Sequence, residues 1–134
     1  MKGINRTAVF LAVVLHQVLG YLWYGVFFAK PWLAGLDKLP SDIDTRAPLP
    51  YILDVVGWLV ASLVMAWLVV RLDIKSAGGG AMLGFLLWLG LAVPALVPHY
   101  AFIGLKPIVM AIDAADLLIA CVMTGAILGA WRSK

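Results

Sequence analysis

The stretch PIVMAIDAADLLIACVMTGAILGAW, residues 107–131, decides what kind of fold this chain can adopt. It exceeds the ~20 mostly apolar residues that a membrane-crossing helix needs, and Asp113 and Asp116 are its only charges. The whole chain has 134 residues, of which 64% are hydrophobic and 13% charged. Soluble domains stand nearer half apolar and a quarter charged, and a single core of this size could not hide so much apolar surface from water. Lipid is therefore the expected solvent for most of the chain.

Working outward, three more stretches qualify as spans, at about residues 7–29, 51–70 and 77–97. The expected class is an all-α membrane protein, a four-transmembrane-helix bundle forming one domain over residues 1–134. A polar loop at Lys30–Pro50, a tight basic turn at Arg71–Ser76 and a short link around Pro98–Lys106 connect the spans. Lys2 and Arg6 precede the first span in the manner of a signal peptide. Its apolar region is longer than a signal's usual 7–15 residues, however, and no small-x-small site follows before Lys30, so a retained helix is expected.

The net charge of +3 does not gather into a patch or stripe, which argues against nucleic acid as a partner. The basic residues fall at span ends. Four spans put both chain ends on one side together with the second connection, giving that side Lys2, Arg6, Arg71, Lys75, Arg132 and Lys134. Lys30, Lys38, Arg46 and Lys106 lie opposite, diluted by Asp37, Asp42 and Asp44. The bias predicts an inner-membrane protein with both termini in the cytoplasm. Tyr21, Trp23, Tyr24, Trp32, Tyr51, Trp58 and Tyr100 then fall toward the outer side, as an interfacial belt or as the walls of an outward-facing cavity.

Asp113 and Asp116 are spaced i, i+3 and project from one side of the fourth helix. An acid at mid-bilayer costs about 2.5–3.5 kcal/mol on insertion scales, so such acids face a partner, the bundle interior or water. Two carboxylates one turn apart resist simultaneous ionisation, and a proton shared between them is natural. His16 is the neighbour expected for them. It begins a stripe with Gly20, Trp23 and Phe27 at helical spacing, flanked by Gln17, Tyr21 and Tyr24. His16, Gln17, Tyr21, Trp23, Tyr24, Asp113 and Asp116 are thus the ligand- or proton-handling candidates. The competing reading makes His16 and Gln17 interhelical hydrogen-bonding groups. Asp54, near the start of the second span, is expected to serve the interface or the helix dipole.

Gly125 and Gly129 in GAILG have the small-xxx-small spacing that lets helices approach closely in lipid. They lie about half a rotation from Asp116. Either the fourth helix is central to the bundle, or this face meets a second protomer. A second such spacing, GAMLG at Gly80–Gly84, opens the third span. Pro94 and Pro98 are expected to bend or end that span, leaving His99 and Tyr100 at the outer surface. Cys121 is the only cysteine, so no intrachain disulfide can form and a buried thiol is expected. No Cys/His cluster, P-loop or nucleophile elbow is present, so no metal and no cofactor are expected and an enzyme is the least favoured class.

GYLWYGVFFAKPW at residues 20–32 and TGAILGAWR at residues 124–132 resemble a bacterial membrane family known as domain of unknown function 1761. The resemblance covers essentially the whole chain and implies a small four-helix membrane protein. It implies no activity and no catalytic residue. Many members carry Ser-Pro after Trp-Tyr, where this chain has Gly25 and Val26. The reading expected from the residues is a transporter-like or ligand-binding membrane protein with a proton-titratable intramembrane site and an unidentified small-molecule ligand. The alternative is an accessory or structural membrane protein that assembles as a homo-oligomer through its fourth helix.

Overall fold

The computed structural model describes residues 3–132. Lys2 and Lys134, which enter the charge balance between the two sides, lie outside the described residues. Within them the chain is helical without strands, and four helices are long and apolar enough to cross a membrane: Arg6–Phe27, Pro48–Arg71, Ala77–Phe102 and Pro107–Ala130.

Helix α1 (Arg6–Gly20) starts where the Asn5 side chain accepts hydrogen bonds from the Thr7 and Ala8 N–H groups, satisfying two donors that the first turn leaves free. At Tyr21 the helix widens into a π-helical stretch that runs to Phe27. Helix α2 (Ala29–Gly35) follows at once. Helix α3 (Pro48–Arg71) opens on a proline, whose missing N–H is no loss in a first turn. Helix α4 (Ala77–Leu87) is capped by the Ser76 hydroxyl, which accepts from the Gly79 N–H. A second π-helical stretch, Trp88–Ala92, leads into helix α5 (Val93–Phe102). Helix α6 (Pro107–Ala130) completes the chain.

Two expectations are corrected here. The third span does not end near residue 97 but continues through Pro94 and Pro98 to Phe102. The wide turn before the prolines gives the physical reason. The Val93 N–H reaches back five residues to the Trp88 carbonyl, and such a bulge accommodates a break in the regular ladder. The start of the Lys30–Pro50 segment, expected as a polar loop, instead lies inside α2, which folds back onto the start of α6. There Gly35 sits so close to Val109 that a Cβ at residue 35 would overlap its side chain. Lys106 clamps this return by reaching Asp37 and the Ala34 carbonyl.

Helix α6 packs against each of the other five helices. Its tightest neighbour is α4. Gly80 and Gly84 lie against the backbone of Gly125 and Cys121, and a Cβ on Gly80, Gly84, Gly125 or Gly129 would run into main-chain atoms of the facing helix. The Gly125/Gly129 face is therefore filled from within the chain, and the sequence's two glycine motifs meet each other. Of the two alternatives for α6, the central position is the one adopted.

The bundle is built differently at its two ends. The end that carries residues 5 and 131 holds a dry core of Ala8, Val9, Met65, Ala66, Val69 and Leu128. Asn5 Nδ2 donates to the Trp131 carbonyl at 2.8 Å. Asp73 is bracketed by Arg132 at 2.6 Å and Lys75 at 2.7 Å. Toward the opposite end, which carries the 36–47 loop, most of the first half of α3 is exposed. The polar groups of the spans line a cavity at this end.

Candidate functional site

His16 projects from α1 at the level where the dry core stops. Its Nε2 lies 3.3 Å from Asp54 Oδ1 on α3. The adjacent Gln17 donates from Nε2 to Asp54 Oδ2 at 2.8 Å. One carboxylate thus spans two neighbouring side chains of α1. Trp58, one turn further along α3, stacks on the imidazole with centroids 4.0 Å apart and planes 12° from parallel. The Trp58 indole N–H continues to Thr124 Oγ1 on α6 at 3.2 Å. With Nε2–H donating to Asp54, Nδ1 of a neutral imidazole carries a lone pair. That atom is buried without a partner.

Asp113 is the opposite case. Tyr24 and Trp32 both donate to its Oδ1 and Tyr100 donates to its Oδ2, each at 2.9 Å. Three donors from three separate elements therefore converge on one carboxylate, in place of a cation. The flanking carbonyls are occupied too. Trp23 donates to Ile112 O at 3.0 Å and Trp88 to Ala114 O at 2.8 Å. Buried indoles and phenols nearly always find such partners. Here the partners are concentrated on one turn of α6.

Asp116 stands between these two arrangements. It is 5% exposed, as is His16, and its Oδ1 is buried without a hydrogen-bond partner. Both residues line a cavity of about 960 Å³ that runs from this level to the loop around Ile43 and Thr45. Its volume is at the upper end of the range for small-molecule sites. Among the described residues, no group of three His, Cys, Asp or Glu side chains comes together as a metal site.

Residues 7–129 match the family model described as "Protein of unknown function (DUF1761)". The chain belongs to this family. No curated protein and no solved structure matches it. DUF1761 membership supplies no activity, and the chemistry follows from the site itself.

Within this DUF1761 chain, six of the seven residues singled out in the sequence line one cavity: His16, Gln17, Tyr21, Tyr24, Asp113 and Asp116. Trp23 does not. It turns to the Ile112 carbonyl and packs on Phe28. The stripe from His16 through Gly20 and Trp23 also fails to extend to Phe27, which is 63% exposed, because the π-helical stretch changes the residue-to-face relation after Gly20. His16 hydrogen-bonds neither member of the acid pair; Asp54 takes that place. Asp113 and Asp116 share a side of α6 but not a partner.

Four further groups line the cavity: Trp32, Trp58 and Tyr100, named in the sequence as belt or cavity-wall aromatics but not as site candidates, and Asp54, expected only at the interface or the helix dipole. Asp54 and Trp58 are spaced i, i+4, so both address the same strip of α1. That spacing was a usable signal. Tyr100 follows two prolines, which masked its place in a helix. Trp32 is brought back by α2 from a segment whose Lys-Pro suggests departure. No local pattern signals that either of the last two donates to Asp113.

Proposed function

We propose that this protein binds a small molecule in the cavity described above, in the manner of a small transporter, and that His16 and Asp116 exchange a proton at its floor. The observation that carries this reading is the pair of buried atoms, His16 Nδ1 and Asp116 Oδ1, both without partners at the base of one cavity. Buried polar groups are satisfied in the great majority of cases, and an ionisable residue inside a span marks a functional site by default. A neutral imidazole with a free lone pair in the same cavity as a carboxyl group with a free oxygen is suited to passing a proton between them, directly or through water.

The His16–Trp58 stack supplies the test, because charging the imidazole alters the indole lying on it. Reconstituted protein is titrated through about pH 5–8, the interval in which histidine side chains change charge. A fluorescence step is expected that disappears in His16→Gln and is displaced in Asp116→Asn. A flat profile, or one identical in all three proteins, would defeat the reading.

A second reading, a structural or accessory membrane protein, is favoured by one observation: Asp113 is saturated by its three donors, and Trp23, Trp58 and Trp88 also donate to α6. In that case Asp116→Asn lowers stability and leaves the fluorescence step in place. Homo-oligomer assembly through the fourth helix would have to use a face other than Gly125/Gly129, which α4 covers. For orientation, our reading is a bacterial inner membrane with both termini cytoplasmic, supported by Arg6, Arg71, Lys75 and Arg132.

A further inference from the structure

We propose that the ligand of this cavity is an organic cation with an apolar body, held electrostatically by Asp116 and Asp54 and sandwiched by aromatic faces. The inference deepens the reading above and rests on the cavity being a ligand site.

Charge distribution is the first argument. The chain has 10 Lys and Arg against 7 Asp and Glu, yet none of the basic residues is among those lining the cavity. Four carboxylates are: Asp44 near the mouth, Asp54 on the wall, and Asp113 and Asp116 deeper in. The cavity therefore runs against the sign of the whole molecule. Its only group able to become positive is His16, and that group is already paired with Asp54, so its charging offsets one carboxylate and leaves the others.

The second argument comes from the hydrogen-bonding groups, which eliminate other ligand classes. An anion meets four carboxylates and no basic side chain except His16. A sugar or other polyol needs many free donors and acceptors, but Tyr24 and Tyr100 spend their hydroxyls on Asp113 and Tyr51 donates to the Thr45 carbonyl. A bare metal ion needs several converging ligands, and no such group forms among the described residues. Beside the Tyr21 hydroxyl and the Gln17 side-chain carbonyl, aromatic rings and an unengaged carboxylate oxygen are what remain. Those are the features that recognise alkylated or delocalised cations, through attraction to ring faces and to a nearby negative charge. Trp32 and Tyr24 already stand edge to face at 5.0 Å in the cavity lining, and Trp58, stacked on His16, lines the cavity as well.

The probe pair is tetraphenylphosphonium and tetraphenylborate, which share a shape and differ in sign. Each is titrated calorimetrically into the purified full chain in a neutral maltoside detergent. Saturable binding of the phosphonium without binding of the borate is expected. Asp116→Asn should weaken it about tenfold or more, as removal of a charge contact in a low-dielectric site does. Asp54→Asn, at a position whose side chain is 51% exposed and therefore tolerant, should weaken it as well. Equal binding of both ions, binding of neither, or phosphonium affinity unchanged in both variants overturns the proposal. Because the fluorescence titration of His16 needs no added ligand, it judges the proton-exchanging site separately. Saturable borate binding would likewise leave a ligand cavity standing while removing the cation.

Discussion

At the scale of single residues, Asp113 shows how a half-buried carboxylate is held without a counter-ion. Its three donors come from the first span, from the return helix α2 and from α5, so the carboxylate ties together segments distant in sequence. Hydrogen bonds to an ionised acceptor are worth about 1.5–3 kcal/mol each, and an orphaned buried donor costs about 1–3 kcal/mol. Substitutions at this position should accordingly separate by chemistry more than by size. Asp113→Asn keeps an acceptor for Tyr24 and Trp32, and the Tyr100 hydroxyl can rotate to accept from the new amide. Asp113→Leu leaves all three donors facing apolar atoms. Thermal unfolding in detergent should show a small loss for Asn and a severe one for Leu; comparable losses would mean that the three contacts contribute little.

At the scale of elements, the α4–α6 pair is held by glycines that permit backbone contact. Overpacking a tight interface costs about 1–3 kcal/mol. Gly80→Ala and Gly125→Ala should each lower stability by about this much, because the added methyl meets main chain that cannot turn aside. Gly57→Ala is the control. Nothing lies within 4 Å of its added Cβ, and alanine in a helix interior is favoured over glycine by about 0.5–1 kcal/mol. Denaturation midpoints that fall for the first two and hold or rise for the third would bear this out. The two glycine spacings were legible in the sequence, but their pairing was not, since each spacing alone fits any small-residue partner. The stripe of His16, Gly20 and Trp23 was legible for as long as the helix kept 3.6 residues per turn. It became misleading at Tyr21, where the change to a wider helix re-aims each following side chain.

At the scale of the whole molecule, the chain separates a dry end from a wet one. The dry end is closed by a polar cluster outside the spans, in which Asp73 bridges the α3–α4 connection to Arg132. Hydrogen bonds from Lys75 and Arg132 hold the Asp73 carboxyl below the usual carboxylate range. A carboxyl depressed in the folded state adds stability above its unfolded value, about 3.9, and that stability is lost as pH falls through the lower folded value. Wild-type protein should therefore lose stability on acidification below about pH 4 more steeply than Asp73→Asn. Asparagine is a fair replacement because residue 73 has a φ of 53°, a region asparagine tolerates. Melting curves at neutral and acid pH give the comparison, and parallel acid losses in the two proteins would count against the bridge.

The sequence by itself determined the helical class, the four spans and the polar residues that need explaining. These follow from the solvation of apolar side chains and of charges, which depends on residue type and run length alone. The sequence could also set His16 and the Asp113/Asp116 pair apart, because an ionisable side chain in a lipid-length run is costly wherever it points. Only the tertiary structure decided that His16 answers to Asp54, that Trp32 and Tyr100 return to Asp113, and that Asp116 is left unengaged at the floor of a cavity. Those outcomes depend on two widened helical turns and on a short helix folding back. Hydrogen bonds between segments 38, 81 and 89 residues apart are set by such backbone geometry, which no local periodicity encodes.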